Sequence, residues 1–196
     1  MNRLRILTVV FFSSVLVAAL PTSSQDIEVS KEGKWRMWYT GPDLRAELGY
    51  HWADTHLGDE WMILKLSIAG GRGGVTSVAR TSIHLEAPDG AVFDLPTEPE
   101  FRQVRGSMSM AFRQENVWGP AAARFTGSMR RLEEWFYSPQ GRTSHRETIH
   151  PSPFQYCSGP LVFRVPGGVQ PGSWKLIIDL EETRAEIPFV LGEHEK

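Results

Sequence analysis

Trp61–Ala69, WMILKLSIA, is the stretch whose reading decides the fold. It follows Gly58-Asp59-Glu60 and runs into Gly70-Gly71-Arg72-Gly73-Gly74. Successive side chains of an extended chain point to opposite sides. Met62, Leu64, Leu66 and Ile68 therefore share one face, and Trp61, Ile63, Lys65 and Ser67 share the other. That alternation predicts a half-buried strand. The glycines after it suit a hairpin connection. They lack the Lys-Ser/Thr of a phosphate loop and lead towards a strand, not a helix.

Working outward, other segments look like partners for this strand. Gly33–Tyr39 alternates with Trp35, Met37 and Tyr39 on one face. Leu44–Leu48 is expected to form a short helical turn, and Gly49–Thr55 a short edge strand carrying Tyr50 and Trp52. Val75–Ala87 aligns Ala79, Thr81, Ile83 and Leu85, and Pro88-Asp89-Gly90 turns the chain into Ala91–Leu95. Leu161–Val165, Trp174–Leu180 and Ala185–Leu191 alternate again. Pro188 has no N–H to donate, so the last strand is expected at an edge or with Pro188 pointing to solvent.

Between these groups lies a long insertion, about residues 96–158. Pro96–Arg105 reads as loop and Ser107–Arg113 as a strand with Met108, Met110 and Phe112 aligned. Gly127–Tyr137 has Met129, Leu132, Trp135 and Phe136 at helical spacing, which predicts one short helix. Pro139–Pro153 reads as extended loop. Many short strands with turns between them argue for a mostly β fold, an antiparallel β-sandwich carrying this insertion.

The N-terminus has the three parts of a secretory signal: Arg3 and Arg5, the apolar run Ile6–Leu20, then small residues through Ser24. The expectation is a signal peptide over residues 1–24 and a single domain over 25–196. The apolar run is shorter than the ~20 residues a spanning helix needs, so no membrane span is expected after cleavage. In the 196-residue chain, 41% hydrophobic and 22% charged residues are ordinary for a folded protein. A formal charge of −2 gives no electrostatic footprint for nucleic acid. Cys157 is the single cysteine, so no internal disulfide can form. That leans towards a bacterial periplasmic or extracellular location.

Three features carry a family likeness: Gly58-Asp59-Glu60 leading into WMILKLSI, Pro88-Asp89-Gly90 before Ala91-Val92-Phe93, and Phe163-Arg164-Val165-Pro166 before a final hairpin. With these the chain resembles the immunoglobulin-like domains of unknown function found in bacterial exported proteins. The resemblance covers roughly residues 33–95 and 159–191. The central strand ends in Ala69-Gly70, where those domains often have an Asn, and the insertion is longer than a plain sandwich connection. The likeness implies a binding or assembly role in the envelope.

Three site candidates follow. His51, Asp54 and His56 are metal-ligating types. On an extended strand Asp54 and His56 would share a face, with His51 joining only if the chain bends; a polar edge strand beside a turn is the plainer reading. Arg102, Arg105, Trp118, Arg130, Arg131 and Trp135 make the insertion basic and aromatic, suited to a protein or polysaccharide partner in the envelope. Cys157 with His145 or His150 would allow a thiol–imidazole pair. The function expected is a non-enzymatic exported binding or assembly module without cofactor, the alternative being an envelope protein that uses a divalent metal.

Overall fold

A computed structural model describes residues 27–118, 123–138 and 144–193. The expected signal peptide lies outside the described residues. The chain opens with β1 (Glu28–Lys31), β2 (Arg36–Thr40) and β3 (Leu44–Gly49), a helical turn α1 (His51–Thr55), and the long β4 (Trp61–Gly70). Next come β5 (Val78–Ala79), a 3-10 turn, β6 (Ile83–Glu86) and β7 (Val92–Asp94). The insertion holds α2 (Glu98–Val104), α3 (Ser109–Trp118), α4 (Ala123–Thr126), β8 (Arg130–Leu132), β9 (Glu134–Trp135), β10 (Ser144–His145) and β11 (Thr148–Ile149). The chain closes with β12 (Gln155–Arg164), β13 (Gly172–Asp179) and β14 (Arg184–Leu191).

The fold is mostly β. One sheet has six strands in the order β1-β2-β3-β4-β12-β8, and a second has four in the order β14-β13-β6-β7. β4 lies at the heart of the first. It pairs antiparallel with β3, Leu66 opposite Leu48, and with β12, Leu64 opposite Leu161. Met62, Leu64, Leu66 and Ile68 pack in one apolar core with Ile83 and Leu85 of β6, Leu176 and Ile178 of β13, and Ile187 and Phe189 of β14. The hairpin across Pro88-Asp89-Gly90 forms as expected, with Leu85 opposite Phe93 and Gly90 at φ 85°. β14 is an edge strand, one of the two placements expected from Pro188.

The expectation that β4 has one solvated face is corrected. Ile63 and Ser67, on the face away from the shared core, are buried, as is Val162 opposite Ile63 on β12. Helix α3 packs against β4, and α4 against β8.

Several local assignments differ from expectation. Leu44–Gly49 is a strand and His51–Thr55 a helix, the reverse of what the sequence suggested. Leu, Arg, Ala and Glu are all good helix formers. Yet Leu44, Ala46 and Leu48 alternate onto the core face, and pairing to both β2 and β4 outweighs propensity. Pro96–Arg105 holds helix α2, whose start carries a capping box. The Thr97 hydroxyl accepts from the Glu100 amide, and the Glu100 carboxylate accepts from the Thr97 N–H at 2.7 Å. Ser107–Arg113 falls mostly in α3: Met108, Ala111 and Phe112 are buried at helical spacing, while Met110 is exposed.

Gly127–Tyr137, expected as the one short helix, instead contributes β8 and β9. Trp135, Phe136 and Tyr137 are buried in succession, which no single helix face could achieve. Trp135 fits because Gly159 on β12 has no side chain. A Cβ at Gly159 would lie 2.2 Å from the Trp135 ring. The indole N–H donates to the Pro160 carbonyl at 2.7 Å. Buried Arg80 pins the insertion to the frame. It donates to Glu147 at 2.9 Å and to the Leu95 carbonyl at 2.8 Å, while the Tyr137 hydroxyl donates to the Pro96 carbonyl at 2.6 Å.

Candidate functional site

The first candidate lies where α1 closes one end between the sheets. Asp54 is buried with both oxygens occupied. Oδ2 accepts from the Trp35 indole at 2.8 Å and Oδ1 from the Gly192 amide at 2.7 Å, so it ties the approach to β2 and the end of β14 onto α1. His51 meets the Trp35 ring edge-on at 4.3 Å. Burial holds its imidazole below the ordinary histidine value, against the opposing pull of Asp54. His56 stacks on Trp52 at 3.5 Å between ring centres. The helical turn thus sends His51 and Asp54 to Trp35, the one against its ring and the other to its indole N–H, and His56 to Trp52. Among the described residues no group of three His, Cys, Asp or Glu side chains is placed to hold a metal ion.

Beside Asp54 a cleft of about 210 Å³ opens, lined by Lys31, Gly33, Lys34, Tyr50, Val190 and Glu193 as well. The Tyr50 hydroxyl donates to the Lys34 carbonyl at 3.0 Å. Burial first, and then the charges of Asp54 and Glu193, push its pKa up to about 12. Lys31 and Glu193 form an ion pair at 3.5 Å on the exposed rim. The Lys34 ammonium sits 4.6 Å from the centre of the Trp35 ring.

The second candidate is the face of the six-stranded sheet turned away from the shared core. Trp38, Glu47, Ser67 and Ser158 stand side by side across β2, β3, β4 and β12. All four are buried. Ser67 and Ser158 share a hydrogen bond at 2.8 Å. Glu47 Oε1 lies 3.6 Å from an Arg36 nitrogen, and Oε2 has no hydrogen-bond partner among the described residues. Burial raises the Glu47 pKa, with Arg36 opposing. In the next row stand Arg45, Ala69 and Tyr156. Phe125 of α4 drops between Trp38 and Tyr156, at ring distances of 5.0 and 5.4 Å, and Trp38, Ala69, Phe125 and Tyr156 form a small second core. Arg124 lies over the Trp38 ring at 4.6 Å and pairs with Glu32.

The insertion residues expected to make a contact surface are spread over α2, α3, β8 and β9. Trp135 is a correction: it is fully buried against β12 and presents nothing to a partner. Arg102 is exposed and bound to Glu98 at 2.5 Å, and Arg105 is exposed at the end of α2. Arg130 and Arg131 are successive residues of β8 and so point to opposite sides. Arg131 reaches the Ser158 carbonyl at 3.2 Å. Trp118 ends α3, and its side chain lies outside the described residues.

Cys157 sits in the middle of β12, buried opposite Ile68. Burial, and secondarily Glu134, push its thiol up to about 12, against the pull of Arg131. A cysteine nucleophile acts as the thiolate, the form that burial disfavours here. His145 is engaged elsewhere, with Nδ1 at 2.7 Å from the Phe136 carbonyl.

Lys31, Lys34 and Glu193 sit in segments with no motif, so nothing in the sequence singles them out. Glu47 had a signal: in an alternating reading of Leu44–Gly49, Arg45 and Glu47 fall together on the face opposite three apolar residues. No known protein family, curated protein or solved structure matches this chain, so its site is read from its own residues.

Proposed function

We propose that this chain is an exported, non-enzymatic binding module. A signal peptide over residues 1–24 delivers an immunoglobulin-like sandwich, residues 25–196, to the periplasm or extracellular space, and the cleft beside α1 receives a small ligand there. The supporting observation is the cleft itself, whose walls come from the β1–β2 connection, the α1 turn and the end of β14. Such a pocket exists only in the folded protein, and it carries polar groups of both signs. The Lys31–Glu193 pair is exposed, and exposed pairs contribute little. An incoming carboxylate can therefore replace Glu193 at Lys31 at small cost, with Lys34 beside it. The negative charge of Asp54 and the released Glu193 suit an ammonium group. A small zwitterion, such as a free amino acid, matches this pattern.

N-terminal sequencing of the envelope form tests export: a chain beginning at Leu20 or Gln25 is expected, and an intact Met1 overturns it. Calorimetric titration of that form with the common amino acids tests the cleft. At least one should bind, and Lys34→Ala should weaken it tenfold or more. Absence of binding across the set, or a Lys34→Ala protein that binds equally well, overturns the reading.

A further inference from the structure

We infer that the sheet face beneath residues 124–129 is a saccharide-binding site, held shut in this structure by Phe125. This site shares no residue with the α1 cleft and does not depend on it. The slot is built like a ring clamp. Trp38 and Tyr156 flank the Phe125 ring at 5.0 and 5.4 Å, and Ala69, a small residue, forms the floor. Phe125 stacks on Tyr156 at an interplanar angle of 21° and meets Trp38 at 42°, so an aromatic face stands on each side of the slot. The apolar C–H faces of a pyranose fit such a slot.

The rim distinguishes a sugar from a purely apolar occupant. Glu47 neighbours Trp38 across the ladder and is 1% exposed, yet its Oε2 has no hydrogen-bond partner among the described residues. A buried polar atom left in this way is costly. Beside it the Ser67 and Ser158 hydroxyls are satisfied mainly by each other, and each can still accept. Phe125 fills the ring slot but offers nothing to these groups. A saccharide would fill the same slot and donate its hydroxyls to the Glu47 carboxylate and the serines.

The cover is slight. It consists of a four-residue helix anchored by Phe125, the Arg124–Glu32 pair, the stacking of Arg124 on Trp38, and the half-buried Met129 that follows. A sugar must displace Phe125, so the closed fraction lowers the apparent affinity of the native chain. Phe125 acts as an internal competitor.

The test is calorimetry and tryptophan fluorescence on the mature chain with chitotetraose, cellotetraose and maltotetraose. Phe125→Ala should bind at least one of them tenfold or more tightly than the native chain does. Adding Glu47→Gln to Phe125→Ala should remove at least tenfold of that affinity. Should Phe125→Ala fail to fold, Arg124→Ala with Glu32→Gln loosens the cover without opening the slot and is held to the same outcomes. The proposal is overturned if release of the cover leaves affinity for all three sugars unchanged, or if the gain is indifferent to Glu47. It is equally overturned if a tryptophan dipeptide binds the released slot more tightly than any of the sugars.

Discussion

The two apolar cores of this protein differ in how they are closed. The main core draws on both larger sheets and on the insertion, and its central strands are held by neighbours on each side: β4 between β3 and β12, β13 between β6 and β14. The second core rests on one sheet alone. Its cover is Phe125 on a single turn of helix with the half-buried Met129 beside it, and the buried set is Trp38, Ala69, Phe125 and Tyr156. Burial of comparable chemistry thus has different consequences. In the main core, removing an element exposes a whole sheet face. In the second, lifting one ring exposes a slot with an apolar floor at Ala69 and polar side chains in the next row. The first arrangement makes a scaffold and the second makes a place that can open.

The sharpest test of the contrast is Leu64→Ala. Leu64 is fully buried at the centre of β4, and loss of such a side chain costs about 2–5 kcal/mol. Denaturant unfolding should show that loss in a single cooperative transition. Phe125→Ala should cost less than the ~3–5 kcal/mol typical of a Phe→Ala change in a closed core, because its site can open to solvent. If the two variants lose equal stability and both lose cooperativity, the second core is a continuation of the first and the contrast fails.

A smaller effect is expected from Glu47→Gln, and it depends on pH. Burial raises the Glu47 pKa above its ordinary value of 4.5, so the folded chain holds that proton more tightly than the unfolded one. The contribution to stability is present in full below the unfolded value and is lost as pH rises through the folded one. Glu47→Gln should therefore gain stability relative to the native chain on going from about pH 4 to about pH 8, measured by thermal unfolding across that range. A constant difference would show that folding does not shift the Glu47 pKa. The smallest change should come from Glu32→Gln. It removes a partly exposed ion pair with Arg124, worth about 0.2–1 kcal/mol, and should leave the main unfolding transition in place. Thiol alkylation gives a qualitative check on the scaffold: Cys157 should resist iodoacetamide in the folded chain at about pH 8 and react once unfolded.

The scaffold was more legible in the sequence than the sites. β4, the β6–β7 hairpin, β12, β13 and β14 all announce themselves through alternation and turn residues, because those signals are local. The insertion misled for particular reasons. Thr97-Glu98-Pro99-Glu100 held a capping box and an early proline, both helix-start signals, but the prolines suggested a loop. Met108, Met110 and Phe112 fit an alternating pattern as well as Met108, Ala111 and Phe112 fit a helical one, and exposure of Met110 resolves the ambiguity. Trp135, at a helical spacing from Leu132, became a core residue because of Gly159, twenty-four positions away. At the candidate sites, His51, Asp54 and His56 were noticed for their chemistry, while the cleft beside Asp54 drew Lys31, Lys34 and Glu193 from segments with no motif.

The sequence alone therefore determined that this is a mostly β protein with WMILKLSIA at its centre, because alternation along a strand is set by the geometry of the strand itself. The tertiary structure decided the rest. It made Leu44–Gly49 a strand by providing a partner on each side. It buried both faces of β4, where the pattern alone suggested one. It left a carboxylate oxygen on Glu47 without a hydrogen-bond partner among the described residues by setting Trp38 and Ser67 on either side of it in the ladder. Those outcomes depend on which distant segments meet, and no local periodicity encodes that.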